Sequence, residues 1–117
     1  MLVGAIHHVN LVVDDVGAAV GFYRDLLGLT PLDRPDFGMD GAWLAAGPTQ
    51  VHISIGTPPP PDAMQHFAFA TDDLAGVVAR LRDDGFDVFE VPHTKGAGHQ
   101  AFVRDPAGNL VEFNQPD

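Results

Sequence analysis

Short runs of alternating apolar and polar residues, each followed by a stretch with helical spacing, organise the chain. In His8-Val9-Asn10-Leu11-Val12-Val13, the residues Val9, Leu11 and Val13 share one side of a strand, and His8, Asn10 and Val12 share the other. Val16, Ala19, Val20 and Tyr23 then fall at i, i+3, i+4 and i+7, the apolar stripe of an amphipathic helix. Asp14 and Asp15 precede that helix, where carboxylates accept orphan N–H groups and meet the positive end of the dipole. Gly28 suits its C-terminal stop. Three further strands are expected at Leu29 to Asp33, Gly41 to Ala46 and Gln50 to Ile55, with Gly47-Pro48 as the turn between the last two.

The same pattern returns 58 residues later. His66-Phe67-Ala68-Phe69-Ala70-Thr71-Asp72-Asp73-Leu74 repeats His8-Val9-Asn10-Leu11-Val12-Val13-Asp14-Asp15-Val16 in outline. Leu74, Val77, Val78 and Leu81 form the second helical stripe, and Gly85 its stop. Strands are expected at Phe86 to Val91, Gln100 to Arg104 and Asn109 to Asn114, with Asp105-Pro106-Ala107-Gly108 as a strong turn. Each half therefore reads βαβββ, and the whole chain, 1–117, reads as one α+β domain. Module one spans 1–56 and module two 63–117. Residues 56–62, with four consecutive prolines, form a stiff extended linker. A half of this size buries too little to be stable alone, so the halves are expected to pack together or against a partner chain.

Strand alternation then decides which chemistry faces where. The wholly apolar sides must cover the helices. The opposite sides, facing the concavity of curved sheets, carry His8, His66, His52 and Glu112. His8 and His66 are repeat partners at an offset of 58, and His52 and Glu112 at an offset of 60. A repeat packed about a two-fold axis would bring four metal-type ligands to one point. Three imidazoles and one carboxylate suit a divalent Fe, Mn, Co, Ni or Zn ion. Within them, His8, His66 and Glu112 form a two-His-one-carboxylate set that leaves positions open for substrate.

Composition narrows the function classes. Of 117 residues, 16 are acidic and 6 are Lys or Arg, a formal net charge of −10. Such a surface repels phosphate backbones and anionic lipid, so neither nucleic acid nor membrane is an expected partner. No apolar run approaches the roughly 20 residues of a membrane span. The start Met1–Ile6 is short and lacks a basic segment, so no signal peptide is expected and a cytoplasmic location is. There is no cysteine for a disulfide or thiolate nucleophile. Serine occurs once, at Ser54, so no Ser-His-Asp arrangement can be argued. His7 is expected to point away from His8. Trp43 lines either the cavity or the core. His93 and His99 are placed in a mobile loop around Lys95-Gly96-Ala97-Gly98.

Several motifs together resemble the vicinal oxygen chelate superfamily, which includes glyoxalase I, extradiol dioxygenases, fosfomycin-resistance transferases and bleomycin-resistance proteins. They are Ile6-His7-His8-Val9-Asn10-Leu11, Phe22-Tyr23-Arg24-Asp25-Leu26-Leu27-Gly28-Leu29, His66-Phe67-Ala68-Phe69 and Asp105-Pro106-Ala107-Gly108-Asn109-Leu110-Val111-Glu112. The resemblance covers nearly the whole chain. It implies His8, His66 and Glu112 as metal ligands. His52 stands where glyoxalase I-like members carry a glutamate that ligates the metal and transfers protons, so His52 is expected as fourth ligand or general base. The resemblance also implies a homodimer, often with a shared active site. The expected function is a metal-dependent lyase, isomerase or dioxygenase acting on a small molecule through adjacent oxygens. The alternatives are a metal-free antibiotic-binding resistance protein and a fosfomycin-type thiol transferase.

Overall fold

A computed structural model describes all residues, 1–117. The chain divides into two compact units, Met1–Pro59 and Pro60–Asp117, with the boundary inside the proline run. Each holds one four-stranded mixed sheet and one helical segment.

In the first unit, β1 (His8–Val13) is followed by α1 (Val16–Val20), β2 (Thr30–Leu32), β3 (Gly41–Ala46) and β4 (Thr49–Ile55). The sheet order is β1-β4-β3-β2, with β1 parallel to β4 and the other pairs antiparallel. Asp15 caps α1 as its position suggests, its carboxylate accepting the Ala18 N–H at 3.0 Å. The expected α-helix to Gly28 is not uniform. After Val20 the chain widens into a π-helical segment, Gly21–Leu26, in which the Leu27 N–H reaches the Phe22 carbonyl. The adjacent rings of Phe22 and Tyr23, both within this segment, are buried. Leu11, Val13, Leu44, Val51 and Ile53 complete that core from the sheet.

In the second unit, β5 (His66–Ala70) leads to α2 (Leu74–Asp83), β6 (Phe89–Thr94), β7 (Gly98–Arg104) and β8 (Leu110–Gln115). The sheet order is β5-β8-β7-β6. Asp73 caps α2 through the Gly76 N–H at 3.0 Å. Leu74, Val78, Leu81, Val103, Val111 and Phe113 form the core. Strand β6 begins three residues later than expected. The Phe86 N–H still closes the helix end on the Leu81 carbonyl, so extended pairing starts only afterwards. It also runs past Pro92, tolerated because β6 is an edge strand and its register breaks between Val91 and Thr94. The glycine-rich stretch is thus a hairpin turn closed by the Ala97 N–H on the Thr94 carbonyl. His93 and His99 lie on the flanking strands, not in a loop. At the turn after β7, the buried Asp105 carboxylate accepts the N–H groups of Ala107 and Asn109 at 3.0 and 2.9 Å.

The repeat survives as register. His52 pairs with Asn10 and Trp43, and Glu112 pairs with Ala68 and Phe102. No helix is long and apolar enough to cross a membrane.

Candidate functional site

The face of the first sheet opposite α1 carries a column of three rings. Parallel pairing of β1 with β4 puts His8 level with Gln50 and Asn10 level with His52, while antiparallel β3 puts Trp43 beside His52. The His52 ring lies between the other two, stacked on Trp43 at 4.2 Å (6° between planes) and on His8 at 4.0 Å (16°). Phe37 leans on Trp43 at 6.1 Å. His52 is 8% exposed, and its Nε2–H donates to the Gln50 Oε1 at 2.8 Å. Ser54 donates to the Asn10 side-chain oxygen at 2.7 Å on the same face. Burial lowers the His52 pKa below its ordinary value, and the nearby His8, His7 and Arg34 push it the same way. His52 is therefore a neutral base at neutral pH. His7 does not turn away from this group, because its Nδ1 meets the Nδ1 of His8 at 2.9 Å and its ring stands edge-on to that of His8.

The corresponding face of the second sheet carries His66 and Glu112. His66 Nε2 lies 3.0 Å from Glu112 Oε1. The other carboxylate oxygen, Oε2, accepts from Gln100 Nε2 at 3.1 Å and from Asn114 Nδ2 at 3.0 Å. Glu112 is 6% exposed. Burial opposes its ionisation, but the hydrogen bonds from Asn114, Gln100 and His66 together outweigh it, and its pKa falls below the ordinary value. His66 Nδ1 donates to the Met64 carbonyl at 2.8 Å, and Phe102 packs edge-on against the ring at 5.3 Å.

The pair joins an imidazole and a carboxylate, two side chains of metal-ligand type. Both His66 nitrogens face oxygen acceptors, yet a neutral imidazole has one N–H. An imidazolium satisfies both acceptors, donating Nδ1–H to the Met64 carbonyl and Nε2–H to Glu112 Oε1, and a neutral ring would do so only with a cation between Nε2 and Oε1. His66 Nε2 and Glu112 Oε1 are the atoms that would hold such an ion. The carbonyl and amide partners that orient His66 and Glu112 are the kind that tune metal ligands.

Of the four residues expected at the site, the first unit brings His8 and His52 into ring contact, and the second brings His66 and Glu112 into hydrogen-bond contact. No group of three or more His, Asp or Glu side chains in the chain is arranged to hold a metal ion. His93 pairs with Asp117, and His99 approaches Glu90 at 3.6 Å. Sequence reasoning did not single out Gln50 or Gln100. Gln50 stands two residues from His52 on one strand face, a signal that alternation offers. Gln100 reaches Glu112 from across the β7–β8 hairpin, and only the register discloses it.

The family model for the Glyoxalase/Bleomycin resistance protein/Dioxygenase superfamily matches residues 5–113. A protein named Glyoxylase I 4 from Arabidopsis thaliana is 26% identical over 122 residues, covering 93% of this chain and 69% of that protein. Glutathione transferase FosA from Serratia marcescens is 29% identical over 117 residues, covering 94% of this chain and 79% of that protein. The crystal structure of TnmS3, an antibiotic binding protein from Streptomyces sp. CB03234, superposes with a TM-score of 0.81 at 28% identity, covering 100% of this chain and 99% of that one.

Proposed function

Because the chain belongs to the Glyoxalase/Bleomycin resistance protein/Dioxygenase superfamily, we propose that it is a divalent-metal-dependent enzyme acting on a small substrate that meets the ion through two adjacent oxygens. The observation that carries this reading is the His66–Glu112 pair, with the carboxylate held ionised by Gln100 and Asn114 and the imidazole oriented by the Met64 carbonyl. In this proposal His8, His66 and Glu112 are ligands, and His52 is a fourth ligand or a base. When bound, the ion supplies Lewis-acid stabilisation of developing negative charge on a substrate oxygen. The chain's own residues do the rest. Gln100 and Asn114 keep Glu112 in one rotamer and one charge state. His52, neutral through burial, takes a proton from carbon or oxygen in lyase or isomerase chemistry. Trp43 supplies a flat apolar wall beside it.

The active form in this reading is a homodimer. Exposed Ile6, Phe37, Met39 and Met64 provide apolar surface for association. A second reading is metal-free binding of a planar antibiotic. The Trp43–His52–His8 column favours it, as does the likeness to TnmS3.

Elemental analysis of protein purified without chelators separates the two. The enzyme reading expects a stoichiometric divalent ion in wild type and its loss in folded His66→Ala. Absence of any ion, together with failure to bind added Mn(II), Fe(II), Ni(II), Co(II) or Zn(II), would leave only the binder.

A further inference from the structure

We propose that Gln50 is a positioning residue whose side-chain oxygen holds His52 in its Nε2–H tautomer, so that the neutral ring presents Nδ1 as its basic atom. The argument is geometric. An imidazole clamped between Trp43 and His8 at 4.2 and 4.0 Å offers neither face to a ligand, so only its edge nitrogens remain for chemistry. One of them is engaged: Nε2 sits 2.8 Å from Gln50 Oε1, an acceptor that must be met by an N–H. In a neutral ring the proton on Nε2 leaves the lone pair on Nδ1. The stacked rings prevent the imidazole from flipping to exchange the two atoms without opening the column.

The histidine of the second unit is held differently. There Nδ1 donates to the Met64 carbonyl, and Nε2 lies in hydrogen-bond contact with Glu112 Oε1. His52 thus has a single acceptor, at Nε2, whereas His66 has one at each nitrogen, so a tautomer is selected only in the first unit. The acceptor in the first unit is a side chain, two residues from His52 on β4, so it can be changed without disturbing the backbone. The role of Nδ1 as ligand or base rests on the proposed function, whereas the tautomer rests on hydrogen bonding alone.

Long-range proton–nitrogen correlation NMR on chelator-treated protein reads the tautomer directly. It is run about two pH units above the ordinary imidazole pKa of about 6.5, with His52 assigned by its loss in His52→Asn. The expectation is a protonated-type shift at Nε2 and an unprotonated-type shift at Nδ1. Gln50→Glu, which keeps the acceptor, retains this pattern. Gln50→Leu lowers the ratio of Nε2–H to Nδ1–H by roughly three- to tenfold, the bias one hydrogen bond supplies. A proton on Nδ1 in wild type overturns the proposal whether or not the variants fold. An unchanged ratio in folded Gln50→Leu also overturns it. Zinc added to the same sample distinguishes this from the metal reading. Uptake that shifts Nδ1 supports the inference, and uptake that shifts Nε2 overturns it. Absence of uptake overturns the metal reading and leaves the tautomer result to decide this one.

Discussion

Replacing Glu112 with Gln separates folding from ligation. The carboxylate has two distinct oxygens: Oε2 accepts two amide N–H bonds, from Gln100 and Asn114, and Oε1 faces His66 Nε2 at 3.0 Å. A glutamine with its oxygen in the Oε2 position keeps both amide bonds. Its NH2 then points at His66 Nε2, which accepts while Nδ1–H stays on the Met64 carbonyl. Every partner remains satisfied. What is lost is charge assistance, about 1 kcal/mol per hydrogen bond, partly offset because a buried charge no longer has to be desolvated. The net cost should be about 1 kcal/mol. Metal affinity should instead fall by at least about 100-fold, since changing even the partners of a ligand costs 10–100-fold. Urea denaturation of chelator-treated protein and titration calorimetry with Zn(II) or Mn(II) measure the two effects. Glu112→Ala strands the Gln100 donor and opens a cavity, so it should cost about 2–4 kcal/mol. The reasoning is refuted if Glu112→Gln binds metal like wild type, or if it is as destabilised as Glu112→Ala.

Acidification should reduce stability in two stages, measurable as urea midpoints against pH. The lowered pKa of His52 means the unfolded chain takes up a proton first, so stability drops as pH falls below about 6.5, and His52→Asn should remove this stage. The lowered pKa of Glu112 means its contribution is complete above the ordinary carboxyl value of about 4.5 and is lost as pH falls further, a stage absent from Glu112→Gln. Asp73→Ala should cost about 1 kcal/mol in chemical denaturation through loss of the cap on Gly76. Gly98→Ala should cost about 1–3 kcal/mol or more, because Gly98 has φ +71 and a Cβ there would lie 2.5 Å from the Gln115 carbonyl oxygen. A thermal midpoint unchanged from wild type would show that the hairpin end relaxes freely.

Local rules made much of the chain legible. Alternation along β1, β4 and β8 placed His8, His52 and Glu112 on the face opposite the helices, because a strand has no other way to bury Leu11, Ile53 and Phe113. The two aspartate pairs announced both helix starts, since an Ncap carboxylate needs only N–H groups three residues ahead. Other features escaped because their causes are not local. The π-helical widening at Gly21–Leu26 accompanies the burial of two adjacent rings. The strand placement of His93 and His99 depends on where β6 finds its partner on β7.

The sequence by itself determined the repeat, the βαβββ order and the identity of four candidate ligands, because periodicity and capping act over a few residues. Only the tertiary structure decided what those side chains do to one another. Gln100 bonds Glu112 across a hairpin, the Met64 carbonyl turns back onto His66, and Trp43 and His8 enclose His52 from two neighbouring strands. The lowered pKa values of His52 and Glu112, and the engagement of His52 through Nε2, follow from those contacts. They are set by strand register, and register emerges only when whole sheets assemble.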